Sequence, residues 1–440
     1  MDESFVARDK LCRLFVAKAV PVLENYVVYT GAMNYAWRAL GATIGSKGVV
    51  LSELFGQAHL PGLVSVDDGA YVAAKVFTNA LRVDARRGLA FADGVSIGKG
   101  AFVGPLSILM PGAVLEDGAA TGSSAVINRR VARGRIAIGD GERPLTLAWR
   151  PEHSDACRGR EWAWDLGSSS AMVVVEVVGR LVSTLAPALL LVICLELLST
   201  QYWAPPAATA RVFYLIRSGK PGVAARLWLL ALNALERNAC LSILFTLCVT
   251  AAMPLRAAFH ALFKRLVLGT VADDGVQNPL RGSVHLRWAL VMKLGKTPPI
   301  PDHFRFLWEY VNAYARLLGA KIAGSARCYP NTTFLRVIPE ADVVSIGEGT
   351  VNSAHVYGHD FSNMHLRFKE TSLGDDCHLA DSLQCQILPG SRIPEGTVVN
   401  AAGRGVAFQG LVTEPGRTWS GNPFAAQATM RKAPKFAECV

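Results

Sequence analysis

Residues 97–121 read Ile97-Gly98-Lys99-Gly100-Ala101-Phe102-Val103-Gly104-Pro105-Leu106-Ser107-Ile108-Leu109-Met110-Pro111-Gly112-Ala113-Val114-Leu115-Glu116-Asp117-Gly118-Ala119-Ala120-Thr121, and every sixth place repeats one demand. Ile97, Val103, Leu109, Leu115 and Thr121 lead the hexads. The fifth places are Ala101, Ser107, Ala113, Ala119 and Ala125. Neither an α-helix nor an ordinary strand has a reason for period six. A left-handed parallel β-helix does: each hexad forms one flat side of a triangular prism, the leading aliphatic side chain points inward, and the fifth residue must be small to fit the crowded interior. Gly98, Gly104 and Gly112 fall at or near the corners, where the chain bends sharply.

The register returns near the C-terminus in the pairs Ile387/Ser391, Ile393/Thr397 and Val399/Gly403, after a start at Leu373 and Leu379. Leu109-Met110-Pro111-Gly112-Ala113 reads against Ile387-Leu388-Pro389-Gly390-Ser391. Before the coils, Tyr35-Ala36-Trp37-Arg38-Ala39-Leu40-Gly41-Ala42 reads against Tyr314-Ala315-Arg316-Leu317-Leu318-Gly319-Ala320. The expectation is an internal duplication in a mainly β chain: two left-handed parallel β-helix (hexapeptide-repeat) domains separated by a transmembrane or interfacial α-helical segment. The boundaries read as an amphipathic helical leader over 1–40, a first β-helix over 41–145, a linker over 146–170 and membrane helices over 171–265. A second helical leader follows over 266–318, then a second β-helix over 319–425 and a tail over 426–440.

Between the copies the composition turns apolar. Leu181 to Leu198 carries no charge except Glu196, and Pro187 is its only strong helix breaker; with Ala171 to Gly179 before it, the run reaches the roughly 20 residues that span a bilayer. Ala239 to Leu255, bounded by Arg237 and Arg256, is a second expected span. Leu227 to Leu235 is too short to cross alone and reads as interfacial. Two crossings put both coils on one side, and Arg256, Lys264 and Arg265 favour the cytoplasm, giving an integral membrane protein with cytoplasmic coils. The intervening Arg211, Arg217, Lys220 and Arg226 conflict with an excluded loop unless they snorkel on the headgroups.

Bulk properties agree with a lipid bilayer as partner: 51% hydrophobic residues, 18% charged and a net charge of +10. The basic residues are dispersed with no recognition motif, so nucleic acid is not expected. The cysteines number nine and form no CxxC pair, which points to reduced thiols rather than a disulfide framework. No charged-then-apolar export signal opens the chain.

Chemistry is sought where titratable residues interrupt a fold that needs none. His355, His359, His365 and His378 crowd into the second coil beside Asp360, Asp375, Asp376 and Asp381, whereas the first coil has no histidine after His59. In Val356-Tyr357-Gly358-His359-Asp360-Phe361 the hexad rhythm breaks, which predicts a corner or excursion at His359 and Asp360. A histidine there can act as general base with a carboxylate fixing its tautomer. His359 is the first candidate, His355 and His365 the next, and Asp360 the candidate carboxylate. His378, Asp381, Trp419 and Asn422 are candidates for binding substrate. The same histidines could hold zinc as in a β-helical carbonic anhydrase, but three within eleven residues do not match ligands placed by rung, and no metal is expected. Cys377, beside His378, occupies a fifth-position slot and reads as a small interior residue.

The tandem hexad coils, the Leu-Gly-Ala leaders, the intervening apolar helices and the closing Trp419-Ser420-Gly421-Asn422-Pro423 together resemble the C-terminal membrane region of ε-poly-L-lysine synthetase and related single-module nonribosomal peptide synthetases. The closing motif is shared more widely with hexapeptide-repeat acyltransferases. The resemblance covers roughly residues 25 to 425. It implies acyl or aminoacyl transfer from a thioester donor, either a carrier-protein phosphopantetheine or coenzyme A, to an amine or hydroxyl, with no tightly bound cofactor. This chain carries no adenylation or carrier domain, so a separate adenylation or carrier protein is an implied partner. An intrachain pseudo-dimer of the two β-helices is expected to take the place of a neighbouring subunit. The competing functions are a catalytically silent scaffold and a zinc-dependent hydratase-like enzyme.

Overall fold

The computed structural model describes chiefly residues 31–46, 60–73, 76–84, 89–123, 125–139, most of 167–182, most of 246–280, 282–296, 308–328, 339–361, 365–379 and 386–399, with shorter pieces including 414–420 and 425–429. The stretch 1–30, most of the expected span Leu181–Leu198 and all of Leu227–Leu235 lie outside the described residues.

Hexads become strands of two or more residues that pair in parallel into three sheets. In the first coil, one face is Thr43–Ile44, Val64–Val66, Val95–Ile97, Val114–Leu115 and Arg130–Val131. The second is Val50–Leu51, Tyr71–Val72, Phe102–Val103, Ala120–Thr121 and Arg135–Ile138, closed by the antiparallel Leu145–Ala148. The third is Phe77–Thr78, Ile108–Leu109 and Val126–Ile127. Ile97 lies in register with Leu115, so three hexads make one turn. All five hexad leaders and all five fifth-position residues are 0–1% exposed. Burying each large leader is worth about 1.5–3 kcal/mol against leaving it in water. Corners are as tight as the sides: a Cβ on Gly98 would sit 2.7 Å from the backbone nitrogen of Asp117 in the next turn.

The second coil has the same plan. Its faces are Lys321–Ile322, Val344–Ile346, Thr371–Leu373 and Arg392–Ile393; then Arg327–Cys328, Val351–Asn352, His378–Leu379, Val398–Val399 and Arg417–Ser420; then His355–Val356, Gln386–Ile387 and Val406–Ala407. Leu373, Leu379, Ile387, Ile393 and Val399 are all buried.

Both leaders are held to their coils by the same bonds. In the helix Gly31–Ala39, Asn34 Nδ2 donates to Val49 O at 2.9 Å and Arg38 Nε to Ile44 O at 3.0 Å. In the helix Trp308–Leu318, Asn312 Nδ2 donates to Ala326 O at 2.6 Å and Arg316 Nε to Ile322 O at 2.9 Å. A one-turn 3₁₀ helix precedes the next strand in each copy, Pro61–Leu63 and Ala341–Val343. Both copies also leave the prism after the third face for an antiparallel hairpin, Leu81–Asp84 with Leu89–Ala92 in the first and His359–Asp360 with His365–Phe368 in the second.

The coils do not form separate compact units. Residues 1–176 and 261–440 gather into one unit and 177–260 into another. Within the first unit, Tyr71 and Ala73 of the first coil share an apolar cluster with Trp288, Met292, Val343, Leu366 and Phe368. Among the described residues one helix, Thr246–Val267, is long and apolar enough to cross a membrane by length and composition. It does not stop at Leu255 as the apolar run suggested. It continues through Arg256 and Lys264, because the Lys264 ammonium finds the Asp342 carboxylate at 2.5 Å, where Val271 N also donates at 3.0 Å.

Leu115→Ala, which leaves a hole in the packed interior, is expected to lower stability by about 2–5 kcal/mol in denaturant unfolding. A loss below about 1 kcal/mol would contradict a packed prism interior.

Candidate active site

After the third-face strand His355–Val356, the chain turns out through Tyr357 and Gly358 into the hairpin carrying His359. Gly358 is needed for the close approach: a Cβ there would lie 2.6 Å from Val343 Cγ2 and 2.8 Å from Glu340 Cγ. The turn therefore lies against Glu340, the residue capping the 3₁₀ helix Ala341–Val343. Two residues along, Asp342 is fixed by Lys264 and the Val271 N–H, which anchors this segment from the other side.

His359 Nδ1 lies 2.5 Å from Glu340 Oε1, and the indole N–H of Trp288, on the helix Ser283–Lys296, donates to Glu340 Oε2 at 2.8 Å. The Glu340 side chain is 1% exposed and that of His359 is 15% exposed. Burial works against the carboxylate charge. The adjacent imidazole, its hydrogen bond and the Trp288 donor outweigh that penalty and hold the Glu340 carboxyl below the usual carboxylate range. An ionised carboxylate only accepts, so Nδ1 carries the proton. Nε2 has no hydrogen-bond partner among the described residues.

Aromatic rings wall the imidazole. Trp288 lies at 4.8 Å between centroids, Phe361 at 5.0 Å and Tyr357 at 5.6 Å. Phe361 in turn contacts Tyr71 of the first coil at 5.4 Å, and Tyr71 stacks on Phe102 at 5.3 Å. The pair thus sits in a low-dielectric surround to which the first coil contributes.

The corresponding positions of the first coil are instructive. Leu60 precedes its 3₁₀ helix where Glu340 precedes the other, and Leu81 opens its hairpin where His359 does. In the first copy both places hold half-buried leucines. The other copy replaces both with an acid and a base.

The remaining sequence candidates are placed as follows. His355 is buried on the third face, its ring stacked 6.1 Å from Tyr357, so Tyr357 neighbours both histidines. Asp360 follows His359 in the hairpin, across from Arg367; the carboxylate on the imidazole Nδ1 is Glu340 instead. His365 is half-buried on the return strand and pairs with Pro279. His378 is exposed on the second face. Trp419 lies in the strand Arg417–Ser420, without a described side chain, and Asp381 and Asn422 lie outside the described residues. Among the described residues no three His, Cys, Asp or Glu side chains group as a metal site. Cys377 is an interior residue: it is 1% exposed, burial pushes its thiol up to about 11, and Sγ donates to Pro394 O at 3.1 Å. Sequence reading missed Glu340 and Trp288. Comparing the two copies position by position would have exposed the Leu60-to-Glu340 change, whereas nothing local marks Trp288.

No protein-family model and no curated protein matches the chain. Among solved structures it is similar to a maltose O-acetyltransferase from Clostridium difficile 630, at 16% identity and a TM-score of 0.26, over 34% of this chain and 90% of that one. It is also similar to a variant of AntD, an N-acyltransferase from Bacillus cereus in complex with dTDP-4-amino-4,6-dideoxyglucose and coenzyme A, at 17% identity and a TM-score of 0.17, over 27% of this chain and 90% of that one.

A carboxyl held below its usual range contributes stability above the ordinary carboxylate pKa of about 4.3 and loses it as pH falls through the lower folded-state value. Thermal melts below about pH 4.3 are therefore expected to decline more steeply for the native chain than for Glu340→Gln. Parallel declines would show that Glu340 is not charged in the fold.

Proposed function

We propose that the chain is a membrane-associated acyl or aminoacyl transferase whose general base is His359, oriented by Glu340. The observation that carries this reading is that the Glu340–His359 pair stands where the first coil has Leu60 and Leu81. The first coil builds its hairpin with leucines at these two places and no acid or base.

In the reaction, an acceptor amine or hydroxyl gives its proton to His359 Nε2 while its nitrogen or oxygen attacks the thioester carbonyl. The tetrahedral intermediate collapses with loss of the thiolate, which takes the proton back from the imidazolium. Glu340 stabilises that imidazolium and preserves the tautomer, and the rings of Trp288, Phe361 and Tyr357 exclude water from it. The donor is a thioester of coenzyme A or of a carrier protein, the latter supplied by a separate synthetase as the resemblance to ε-poly-L-lysine synthetase implies. The first coil, lacking the base, serves as the wall that a second subunit provides in single-coil enzymes.

His359→Ala is expected to lower thioester turnover by about 10²-fold or more. The double variant Glu340→Leu/His359→Leu separates chemistry from folding: it copies the first coil, so it should melt within a few degrees of the native chain yet transfer no acyl group. Native-level turnover by a folded double variant would defeat the assignment.

Membrane association rests on the apolar stripe Leu247, Leu255, Leu262 and Leu266, each at least 55% exposed, along the helix Thr246–Val267. The protein is expected to stay with the membrane pellet after an alkaline carbonate wash. Quantitative release into the supernatant would refute insertion.

A further inference from the structure

The last turn of the first coil departs from the hexad rule. From Ile127 the next interior residue is Val131, four places on instead of six, and Val131 pairs with Leu115. The shortened corner carries Arg129 and Arg130, and the following stretch carries Arg133 and Arg135; all four are exposed. Glu116, from the preceding turn, accepts from the Arg130 guanidinium and from the Arg133 N–H, the latter at 2.8 Å, and so pins the corner. That uses one of the four positive charges. The side chains of Arg129, Arg133 and Arg135 have no ion-pair partner among the described residues.

A cleft of about 370 Å³ opens at this place. Asn128, Arg129, Arg130 and Arg135 line it, and the interior residues Val131 and Ala137 form part of its floor. Like charges gathered at one concavity repel one another, and of the four only Arg130 holds the corner, while the interior positions here are filled by Ile127, Val131 and Ala137. Such an arrangement is relieved by an anion. Guanidinium groups present paired N–H donors that match the oxygens of a phosphate, a small amide donor fits beside them, and a dianion answers several cations better than a single carboxylate does.

We propose that this cleft binds a phosphate group, either of a soluble phosphate ester or of a lipid headgroup. The proposal is independent of the Glu340–His359 pair.

The test uses the full chain in detergent and an Arg129→Ala/Arg135→Ala variant, which keeps Arg130 on Glu116. Inorganic pyrophosphate is titrated calorimetrically at low salt. Separately, phosphatidylcholine vesicles doped with phosphatidic acid, or with oleate at matched charge, are tested by flotation with each protein reconstituted at equal amount. Pyrophosphate binding that weakens about tenfold or more in the variant supports a soluble phosphate ester. Variant-sensitive preference for phosphatidic acid without pyrophosphate binding supports a headgroup. Absence of both, equal binding by the variant, or equal affinity for oleate vesicles overturns the proposal. Matching melting curves establish that the variant is folded, as two exposed side chains allow.

Discussion

Everything in this molecule follows from the shortage of room inside a three-sided coil. Each side admits one large inward residue per turn and requires a small one beside it, as Leu109 with Ala113 and Leu115 with Ala119 illustrate, all fully buried or nearly so. Since a prism side is only a few residues long, no slack exists to absorb an error, and each turn is held in register by the one below. A polar side chain inside is costly unless it bonds within the coil, as Ser107 and Thr121 do with each other at 3.1 Å. The coil is consequently a poor place for reactive groups and a good platform for whatever leaves it.

Departures from the prism are therefore where function is sought, and the hairpins come as a matched pair. Both coils interrupt the third face for a hairpin at the same point of the second turn. One hairpin starts with Leu81, the other with His359 on Glu340. A buried acid beside a histidine carries a desolvation cost and contributes little net stability, since a hydrophobic pair of similar size commonly does as well or better. Retaining such a pair in one copy alone is consistent with use in proton transfer.

Support for the pair comes from parts far apart in the chain. Trp288 supplies the second hydrogen bond to Glu340, Lys264 holds the adjacent Asp342, and Tyr71 of the first coil backs Phe361. The ring of His359 is thus fixed by contributions from both copies and from the helices between them.

The period-six pattern by itself determined the coils, their inward positions and the break at Gly358-His359, because interior crowding acts residue by residue and leaves a mark at every sixth place. The apolar run ending at Leu255 misplaced the end of its helix, since hydropathy cannot anticipate that Lys264 will be neutralised by a carboxylate 78 residues later. Only the tertiary structure decided that Glu340, not the adjacent Asp360, meets His359. Adjacent residues in a strand point to opposite faces, whereas the corner of the preceding turn is brought within hydrogen-bond reach by the pitch of the coil and by the missing Cβ of Gly358. The coil is written in local spacing; its chemistry depends on which turns lie beside one another.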